Sequence, residues 1–381
     1  MKTEFEPATE NLALKEVIVA RIQAEGPLPF RDFMEAALYH PLHGYYRSPR
    51  ETMGREGDYL TSPEVSPVFG VLVGRQLREM WQAMARPARF DVVEAGAGTG
   101  ALCRDLLRWA RRQDPAFRAA VGYTIAEVSE PLAARQRLVA GEEGCDVRWA
   151  ADLPEAVRGC ILSNELLDSF PVHRVTVVGG ELREVFVGWD GEHFVEEARP
   201  PSTPALEAYF QRLGLLPGEG CLAEVNLEAD AWLRRAAAAL REGFLLTFDY
   251  GYVAEDLYAP WRRDGTLLCF YRHNPSADPY ARLGRQDITS HVDFTTLRRS
   301  GEQAGLRTLG LVSQSELLTN LGVMEALAPP GEGGGDLEEY YARRRAVSEL
   351  IDPAALGRIR VLVQSKGVEA RLTGLEGQPD G

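Results

Sequence analysis

Four residues near position 100 have the types and the spacing to hold a charged cofactor. Glu94 ends the short, mostly apolar run 90–93, and Gly96, Gly98 and Gly100 follow it at alternate positions. Glycine permits positive φ angles and lets a ligand approach the backbone, so the run predicts a tight turn between a strand and a helix. Such turns hold nucleotide-like cofactors in α/β proteins. A carboxylate at the strand end can meet a cationic amino group there.

The same glycines permit two other interpretations. Gly96, Gly98 and Ala101 match the G-x-G-x-x-A fingerprint, in which a pyrophosphate lies at the helix N-terminus. An NAD-dependent oxidoreductase is therefore one alternative, although the Glu94 carboxylate would repel a diphosphate and favours a cationic ligand. A tight turn without any ligand is the other alternative, because isolated motifs of this kind are weak signals.

Further polar side chains follow the later strands of the predicted sheet. Glu127 ends a strand predicted over 121–127, where a carboxylate can accept hydrogen bonds from both ribose hydroxyls. Asp152 follows a strand near 145–149 and is placed to accept from an adenine amino group, while Asn164 follows a strand near 160–163. Ligands bind at the carboxyl ends of such strands, so we assign all three to the cofactor site. For the two acids, a solvated position in a loop is the structural alternative.

Two glutamates are candidates for orienting a second substrate. Glu165 follows Asn164 directly, and Glu224 lies in the segment Leu222–Asn226. A carboxylate that accepts two N–H bonds fixes the plane of a guanidinium and localises its charge on the far nitrogens. A guanidinium needs such help to act as a nucleophile, because its pKa exceeds about 12. A helix-start acid and a strand-edge acid are the structural alternatives.

Histidine supplies the candidate general base. His173, His273 and His291 lie in polar settings, and His291 with Asp293 is our candidate, because histidine transfers protons near neutral pH. A hydrogen-bonded core histidine is the alternative for each. The sequence contains no H-E-x-x-H or C-x-x-C motif, so we predict no metal site.

The segments that position these residues alternate between predicted strands and predicted helices. Such alternation predicts a doubly wound, parallel α/β sheet. Between 172 and 197, apolar and polar residues alternate around Gly179-Gly180 and Asp190-Gly191, which predicts an antiparallel meander. A helix over 30–39 and an amphipathic helix capped by Ser62 precede the sheet. The other elements predicted for the sheet unit are strands within 243–251, 306–312 and 359–363 and helices over 131–138 and 228–240.

Composition limits the classes of function. The 381 residues carry a net charge of −14, which argues against a nucleic-acid surface and makes a basic protein segment the more natural partner. No apolar run approaches the ~20 residues of a membrane span. The five cysteines, at positions 103, 145, 160, 221 and 269, show no pairing pattern and are predicted to be buried, reduced thiols. The N-terminal residues match neither a signal peptide nor a transit peptide, so we expect a cytoplasmic protein.

Taken in order, the motifs resemble the class I S-adenosyl-L-methionine (SAM) methyltransferases of the MidA type. The resemblance covers roughly 11–367, and the pattern E-x-G-x-G-x-G is typical of these enzymes. The family includes a mitochondrial protein arginine methyltransferase that assists the assembly of respiratory complex I. The segments that carry the resemblance are Phe33–Tyr39, Gly44–Tyr46, Gly57–Gly70, Glu94–Gly100, Glu127–Ser129, Asn164–Val172, Asp249–Tyr252, Asp287–Phe294 and Val363–Gly367.

The resemblance implies a seven-stranded SAM-binding sheet with an N-terminal helical cap. It divides the chain into a cap over 1–86, a core over 87–171 and 221–367, an insertion over 172–220 and a tail over 368–381. Asp58 and Ser62 then join the cofactor-binding residues, because their segment would close over the cofactor.

The resemblance also implies an activity. It predicts methyl transfer from SAM to a protein side chain, arginine above all, with a subunit of NADH dehydrogenase as one expected acceptor, and it leaves a homodimer open. A SAM-binding assembly factor without catalytic activity is the non-enzyme alternative.

Overall fold

The computed structural model describes residues 10–48, 53–54, 57–142, 146–328 and 337–377. The chain divides into two compact units. The first consists of Met1–Tyr59, Asp168–Ala229 and Tyr252–Asp293, and the second of Leu60–Leu167, Asp230–Gly251 and Phe294–Gly381. The predicted boundaries differ from this division in four places, because 60–86 falls in the second unit, whereas 168–171, 221–229 and 252–293 fall in the first.

A seven-stranded sheet forms the centre of the second unit, counted within the described residues. The strands are β1 (Phe90–Ala95), β2 (Val121–Ala126), β3 (Val147–Ala150), β4 (Val157–Asn164), β5 (Leu240–Asp249), β6 (Arg307–Ser313) and β7 (Arg360–Lys366). Their order in the sheet is β6-β7-β5-β4-β1-β2-β3, and β7 runs opposite to the other six. The predicted doubly wound α/β sheet is therefore confirmed.

Apolar burial explains why these segments form the sheet. The central strands are almost continuously apolar, and Val92, Ile161 and Leu246 are fully buried. Strands of a parallel sheet that is covered on both faces have this composition. The carboxyl ends of β1, β2, β4 and β5 share one edge, where α/β sheets bind their ligands. The helices of the unit are Ser62–Val65, Pro67–Ala83, Ala101–Gln113, Pro115–Ala120, Glu130–Glu142, the greater part of Leu227–Ala239, Phe294–Gln303, Gln314–Asn320 and Leu337–Ile351.

The helix predicted to begin at a Ser62 cap is in fact two helices. Thr61, not Ser62, caps the first one, in a capping box with Glu64. Ser66 is extended, with φ −159°, and caps the second helix, which begins at Pro67. The proline explains the break, because its ring disfavours the α conformation in the residue before it.

The first unit contains the predicted antiparallel meander. His173–Val178, Glu181–Trp189 and Phe194–Arg199 pair in antiparallel order around the predicted turns, so this prediction is confirmed. Leu28–Pro29 and Ala223–Val225 complete that sheet, and Leu268–Tyr271, Asn274–Ser276 and Asp287–Thr289 form a smaller one. Other short strands are Gly251–Tyr252 and Val292–Asp293. The helices are Leu12–Glu25, Phe30–Tyr39, Ala205–Leu213 and Ala254–Leu257.

Part of the C-terminal segment that we predicted as a tail over 368–381 is packed. Leu372 is only 3% exposed and Leu375 only 9%. The Glu79 carboxylate accepts from the backbone N–H and the hydroxyl of Thr373, at 3.0 and 2.9 Å, and thereby caps a short 3₁₀ helix. Two leucines and a cap therefore fix residues 372–376 on the second unit.

Two further expectations concern thiols and membranes. Cys103, Cys160, Cys221 and Cys269 are buried and form no disulfide among the described residues, and Cys145 lies outside those residues. Within the part of the chain that the structure describes, no helix has the length and apolar character to cross a membrane.

Candidate functional site

The glycine turn after β1 has the backbone that its sequence requires. Gly96, Gly98 and Gly100 have φ angles of 65°, 53° and 84°, which residues other than glycine rarely adopt. A Cβ atom on Gly96 would come within 2.7 Å of Leu166 Cδ1, so this turn has no room for a side chain. Gly100 lies directly before the helix Ala101–Gln113. The turn therefore presents bare backbone at the ligand-binding edge of the sheet.

Glu94 is a buried acid without a cationic partner of its own. It is 2% exposed, and one carboxylate oxygen accepts from the Tyr123 hydroxyl at 2.7 Å. Among the described residues, no lysine or arginine forms a salt bridge with it. Burial raises its pKa to about 7, the charge of Glu127 adds to the shift, and the Tyr123 hydrogen bond opposes it. A ligand cation would therefore stabilise the ionised form.

Glu127 is part of a network that joins the end of β2 to the glycine turn. Its Oε1 accepts from the Ser129 N–H at 2.8 Å, and its Oε2 accepts from Gln136 Nε2 at 3.0 Å. The same Gln136 nitrogen donates to the carbonyl of Gly98 at 3.0 Å. The neighbouring Val128 is 59% exposed, an apolar surface at this edge that the sequence analysis missed. In the sequence, the only sign of this surface is that a large apolar residue directly follows the acid at the end of the strand.

Glu165 has a strained backbone at the end of β4. Its φ angle is 50°, and its N–H donates to the Phe248 carbonyl at 2.9 Å. Its Oε1 accepts from the Ser62 N–H and from Asn164 Nδ2, both at 3.1 Å. Within the described residues, Oε2 has no hydrogen bond. Non-glycine residues in this region of φ cluster at functional sites.

Burial sets the charge state of Glu165. It raises the pKa of the carboxyl group to about 8, while the hydrogen bonds from Ser62 and Asn164 oppose the shift. The negative charges of Asp249 and Glu64 add to it. The buried Oδ1 of Asn164 has no hydrogen-bond partner among the described residues, so a donor from a ligand would satisfy it. The end of β4 thus offers two unsatisfied acceptor atoms.

Asp249, at the end of β5, is the residue of this region that we did not predict. It is fully buried, and its Oδ2 accepts from the N–H groups of Leu166 and Leu167 at 3.2 and 2.8 Å. Its Oδ1 accepts from the Tyr250 N–H at 2.9 Å. An ionisable residue that ends a long apolar strand was the available signal.

Ser62 and Asp152 were predicted to bind the cofactor, and their surroundings differ. Ser62 is fully buried and its hydroxyl donates to Gln314 Oε1 at 2.9 Å, so it reaches Glu165 through its backbone only. Asp152 is exposed after β3, and its Oδ1 accepts from the Leu153 N–H at 2.8 Å. The predicted contact between Asp152 and adenine stays a prediction.

Asp58, also predicted to bind the cofactor, lies in the first unit and holds a hairpin turn there. It is fully buried, with Oδ1 accepting from the Arg272 N–H and Oδ2 from the Tyr45 hydroxyl, both at 2.8 Å. Arg272 and His273 both have positive φ angles, 48° and 61°, which matches a tight hairpin turn. A protein donor on each oxygen supports a role of Asp58 in positioning this turn, and its predicted contact with the cofactor stays a prediction.

Glu224, predicted to orient the acceptor, lies in an enclosed cluster of the first unit. Its Oε2 accepts from the N–H and the hydroxyl of Thr266 at 2.7 and 3.0 Å, and its Oε1 lies 3.8 Å from Arg174 Nε. A Cβ atom on Gly265 would come within 2.3 Å of Oε1. Burial raises the pKa of Glu224, and Arg174 and Thr266 oppose the shift. Both donors bind Oε2, and the buried Oε1 has no hydrogen bond among the described residues. The predicted role of Glu224 in orienting the acceptor stays a prediction, and the nearby Arg174 supports a structural role as the competing interpretation.

His291, the predicted base, also lies in the first unit. Its backbone N–H donates to Thr266 Oγ1 at 3.0 Å, and its ring centroid lies 5.2 Å from that of Tyr252. The Asp293 carboxylate accepts from the Tyr209 hydroxyl at 2.7 Å. The role of His291 as a base stays a prediction.

Comparisons with known proteins agree with the fold and the glycine turn. A family model described as "Putative S-adenosyl-L-methionine-dependent methyltransferase" matches residues 72–312. A Drosophila melanogaster relative named protein arginine methyltransferase NDUFAF7 homolog, mitochondrial, is 30% identical, with 94% of this chain and 86% of the relative covered. The Rattus norvegicus protein arginine methyltransferase NDUFAF7, mitochondrial, is 28% identical over 92% of this chain and 84% of its own length.

A solved structure extends this likeness to the cofactor. It comes from Burkholderia thailandensis, contains S-adenosyl-homocysteine, and is 33% identical to this chain with a TM-score of 0.88. The match covers 97% of this chain and 96% of that one. Together with the family model, it identifies SAM rather than NAD as the cofactor.

The names of the relatives overturn the predicted location. We expected a cytoplasmic protein, whereas the Drosophila and rat relatives are named as mitochondrial proteins. The expectation rested only on the composition of the N-terminal residues, and we withdraw it.

Proposed function

Because this chain belongs to the family of SAM-dependent methyltransferases, we propose that it transfers a methyl group from SAM to an arginine side chain of a protein. The observation that carries the arginine assignment is Glu165. Its carboxylate stands at the carboxyl end of β4, with two donors on one oxygen and, in the described part of the chain, no hydrogen bond on the other. The relatives named as protein arginine methyltransferases support the same acceptor.

The residues after β1 and β2 suit the cofactor. We assign the SAM ammonium group to Glu94, whose buried carboxylate has no salt bridge to any described residue, and the ribose hydroxyls to Glu127. The backbone of Gly96, Gly98 and Gly100 permits close approach. Bound SAM supplies an electrophilic methyl group on a sulfonium sulfur. Val128 offers an exposed apolar surface beside Glu127 for the base.

Glu165 performs two tasks in this proposal. Its free oxygen accepts N–H bonds from the guanidinium and fixes the guanidinium plane, so that one nitrogen faces the methyl group. Its negative charge localises the positive charge of the guanidinium on the nitrogens that do not react. Asn164 contributes its unsatisfied Oδ1 as a further acceptor at the same strand end. The pKa of Glu165, about 8 in the free protein, falls when the guanidinium cation binds.

The partner in this proposal is a basic protein segment, which suits a chain of net charge −14. The family resemblance to an assembly factor of respiratory complex I makes a subunit of NADH dehydrogenase the first acceptor to test. A homodimer stays a prediction, which sedimentation of the purified chain would test.

Transfer of labelled methyl from SAM into a lysate of cells that lack this protein tests the proposal. Gly98→Val is the matched blank, because valine does not tolerate the φ angle of 53° at this position. We expect a discrete labelled protein band that the blank does not produce. If wild-type protein that binds S-adenosyl-homocysteine labels no protein, methylation of protein is wrong, and small-molecule acceptors or an assembly role without catalysis remain.

A further inference from the structure

We propose that Asp249 is a positioning residue for methyl transfer, because its carboxylate holds the loop after β4 and thereby fixes Glu165 beside the glycine turn. This inference rests on the proposed role of Glu165. It assigns to Asp249 no contact with the reacting groups. Every residue that carries it lies in the second unit.

The hydrogen bonds of Asp249 are directed at the backbone of this loop. Its Oδ2 accepts from two consecutive N–H groups, those of Leu166 and Leu167, at 3.2 and 2.8 Å. Its Oδ1 accepts from the Tyr250 N–H at 2.9 Å, which fixes the orientation of the carboxylate. A fully buried carboxylate with three N–H donors is a rigid anchor, because charge-assisted hydrogen bonds are the stronger kind.

The loop needs an anchor because Glu165 has an unfavourable backbone conformation. A glutamate with φ 50° persists only where its surroundings hold it. The N–H of Glu165 donates to the Phe248 carbonyl, and the next two N–H groups donate to Asp249, so β5 holds three consecutive residues. Without the Asp249 carboxylate, we expect Glu165 to relax toward negative φ and its side chain to leave the edge of the sheet.

The same loop packs on the glycine turn. Leu166 Cδ1 lies so near Gly96 that a Cβ atom on Gly96 would come within 2.7 Å of it. The side chain of Leu166 thus contacts the cofactor turn while its N–H is held by Asp249. Leu166 therefore links the loop that carries Glu165 to the turn that we assign to the cofactor. Alignment of the reacting groups accounts for a large part of the rate of group transfer.

Asp249 also acts on Glu165 through its charge. The titratable groups that act on Glu165 are Asp249 from β5 and Glu64 from the helix Ser62–Val65, and both raise its pKa. The polar neighbours Ser62 and Asn164 lower it. Removing the charge of Asp249 therefore extends the ionised form of Glu165 to lower pH, an effect that a purely structural residue would not have.

Asp249→Asn tests the proposal, because the amide places an NH₂ group where one carboxylate oxygen accepted N–H bonds. We expect kcat to fall at least tenfold and affinity for S-adenosyl-homocysteine to change less than twofold. We also expect the acidic limb of the pH profile of kcat/KM to move to lower pH. Asp105→Asn is the matched control, since Asp105 is a buried carboxylate of the same unit that binds the Arg104 guanidinium at 2.8 and 2.9 Å.

The proposal is overturned if Asp105→Asn lowers kcat as much, or if the acidic limb of Asp249→Asn stays where it is in wild type. If Asp249→Asn does not fold, Leu166→Ala replaces it. That variant should lower both kcat and affinity for S-adenosyl-homocysteine several-fold, and unchanged values of both would contradict the proposal.

Amide hydrogen exchange separates this inference from the proposed function, because it needs no acceptor. In Asp249→Asn, the amides of Leu166 and Leu167 should exchange at least tenfold faster than in wild type, with S-adenosyl-homocysteine bound to both. Unchanged exchange would reject the anchor even if arginine methylation is confirmed. Faster exchange supports the anchor even if no protein is methylated.

Discussion

Glu165 and Glu224 are both desolvated glutamates with raised pKa values, yet their surroundings differ. Glu224 accepts from a threonine N–H and a threonine hydroxyl on Oε2, while its buried Oε1 has no hydrogen bond among the described residues and lies 3.8 Å from an arginine nitrogen. Glu165 has two donors on one oxygen, none on the other, and a strained backbone. The comparison teaches that a strained backbone at the ligand-binding edge distinguishes Glu165, whereas burial, a raised pKa and one oxygen without a hydrogen bond are common to both glutamates.

The largest expected effect is on the turnover of Glu165→Gln. The amide keeps the shape of the side chain but removes the charge that localises the guanidinium cation, so kcat should fall about 10²–10³-fold. Affinity for S-adenosyl-homocysteine should stay within twofold, as measured by calorimetry. Glu224→Gln is the matched control and should keep wild-type kcat per folded molecule; an equal loss in both variants would mean that the two sites do not differ as described.

The next effect is on the stability of Glu224→Ala. Removing this carboxylate leaves Arg174 without one buried partner and the Thr266 N–H without an acceptor, so the free energy of unfolding should fall by about 3 kcal/mol. Denaturant titration measures this. A variant as stable as wild type would show that the cluster is not structural.

A smaller effect is expected for cofactor affinity in Glu127→Ala. This change removes the proposed ribose acceptor and the partner of Gln136, and it should weaken SAM binding by about 1–3 kcal/mol. Calorimetric titration with S-adenosyl-homocysteine is the test, with the exposed acid in Glu376→Ala as a control. Unchanged affinity would remove Glu127 from the site.

A last effect, of a different kind, is a pH dependence of stability. The pKa of Glu165 is raised to about 8 in the folded protein, above its ordinary value of 4.5, so the folded state binds this proton more tightly than the unfolded chain. Its contribution to stability is complete below pH 4.5 and is lost as pH rises to about 8. Melting of wild type and Glu165→Gln between pH 5 and 8.5 should show the variant gaining relative stability with pH. A constant difference would contradict the raised pKa.

The sequence predicted the sheet and the cofactor turn because both depend on local patterns. Apolar runs that alternate with amphipathic helices specify β1 to β5, and Glu94 with its glycines specifies the turn. The partners of Asp249 and of Glu79 could not be predicted, because Asp249 binds residues 82 and 83 positions away and Glu79 binds Thr373, 294 positions away. The partner of Glu224 could not be predicted for the same reason, since Thr266 lies 42 positions from it.

Analysis of the methylated amino acid tests the central claim most directly. Lysate from cells that lack the protein would be incubated with labelled SAM and wild type or Glu165→Gln, and the proteins hydrolysed to amino acids for chromatography and mass spectrometry. We predict label in methylarginine with wild type and a loss of about 10²–10³-fold with the variant. Label in another amino acid, or equal methylarginine from both proteins, would contradict the account.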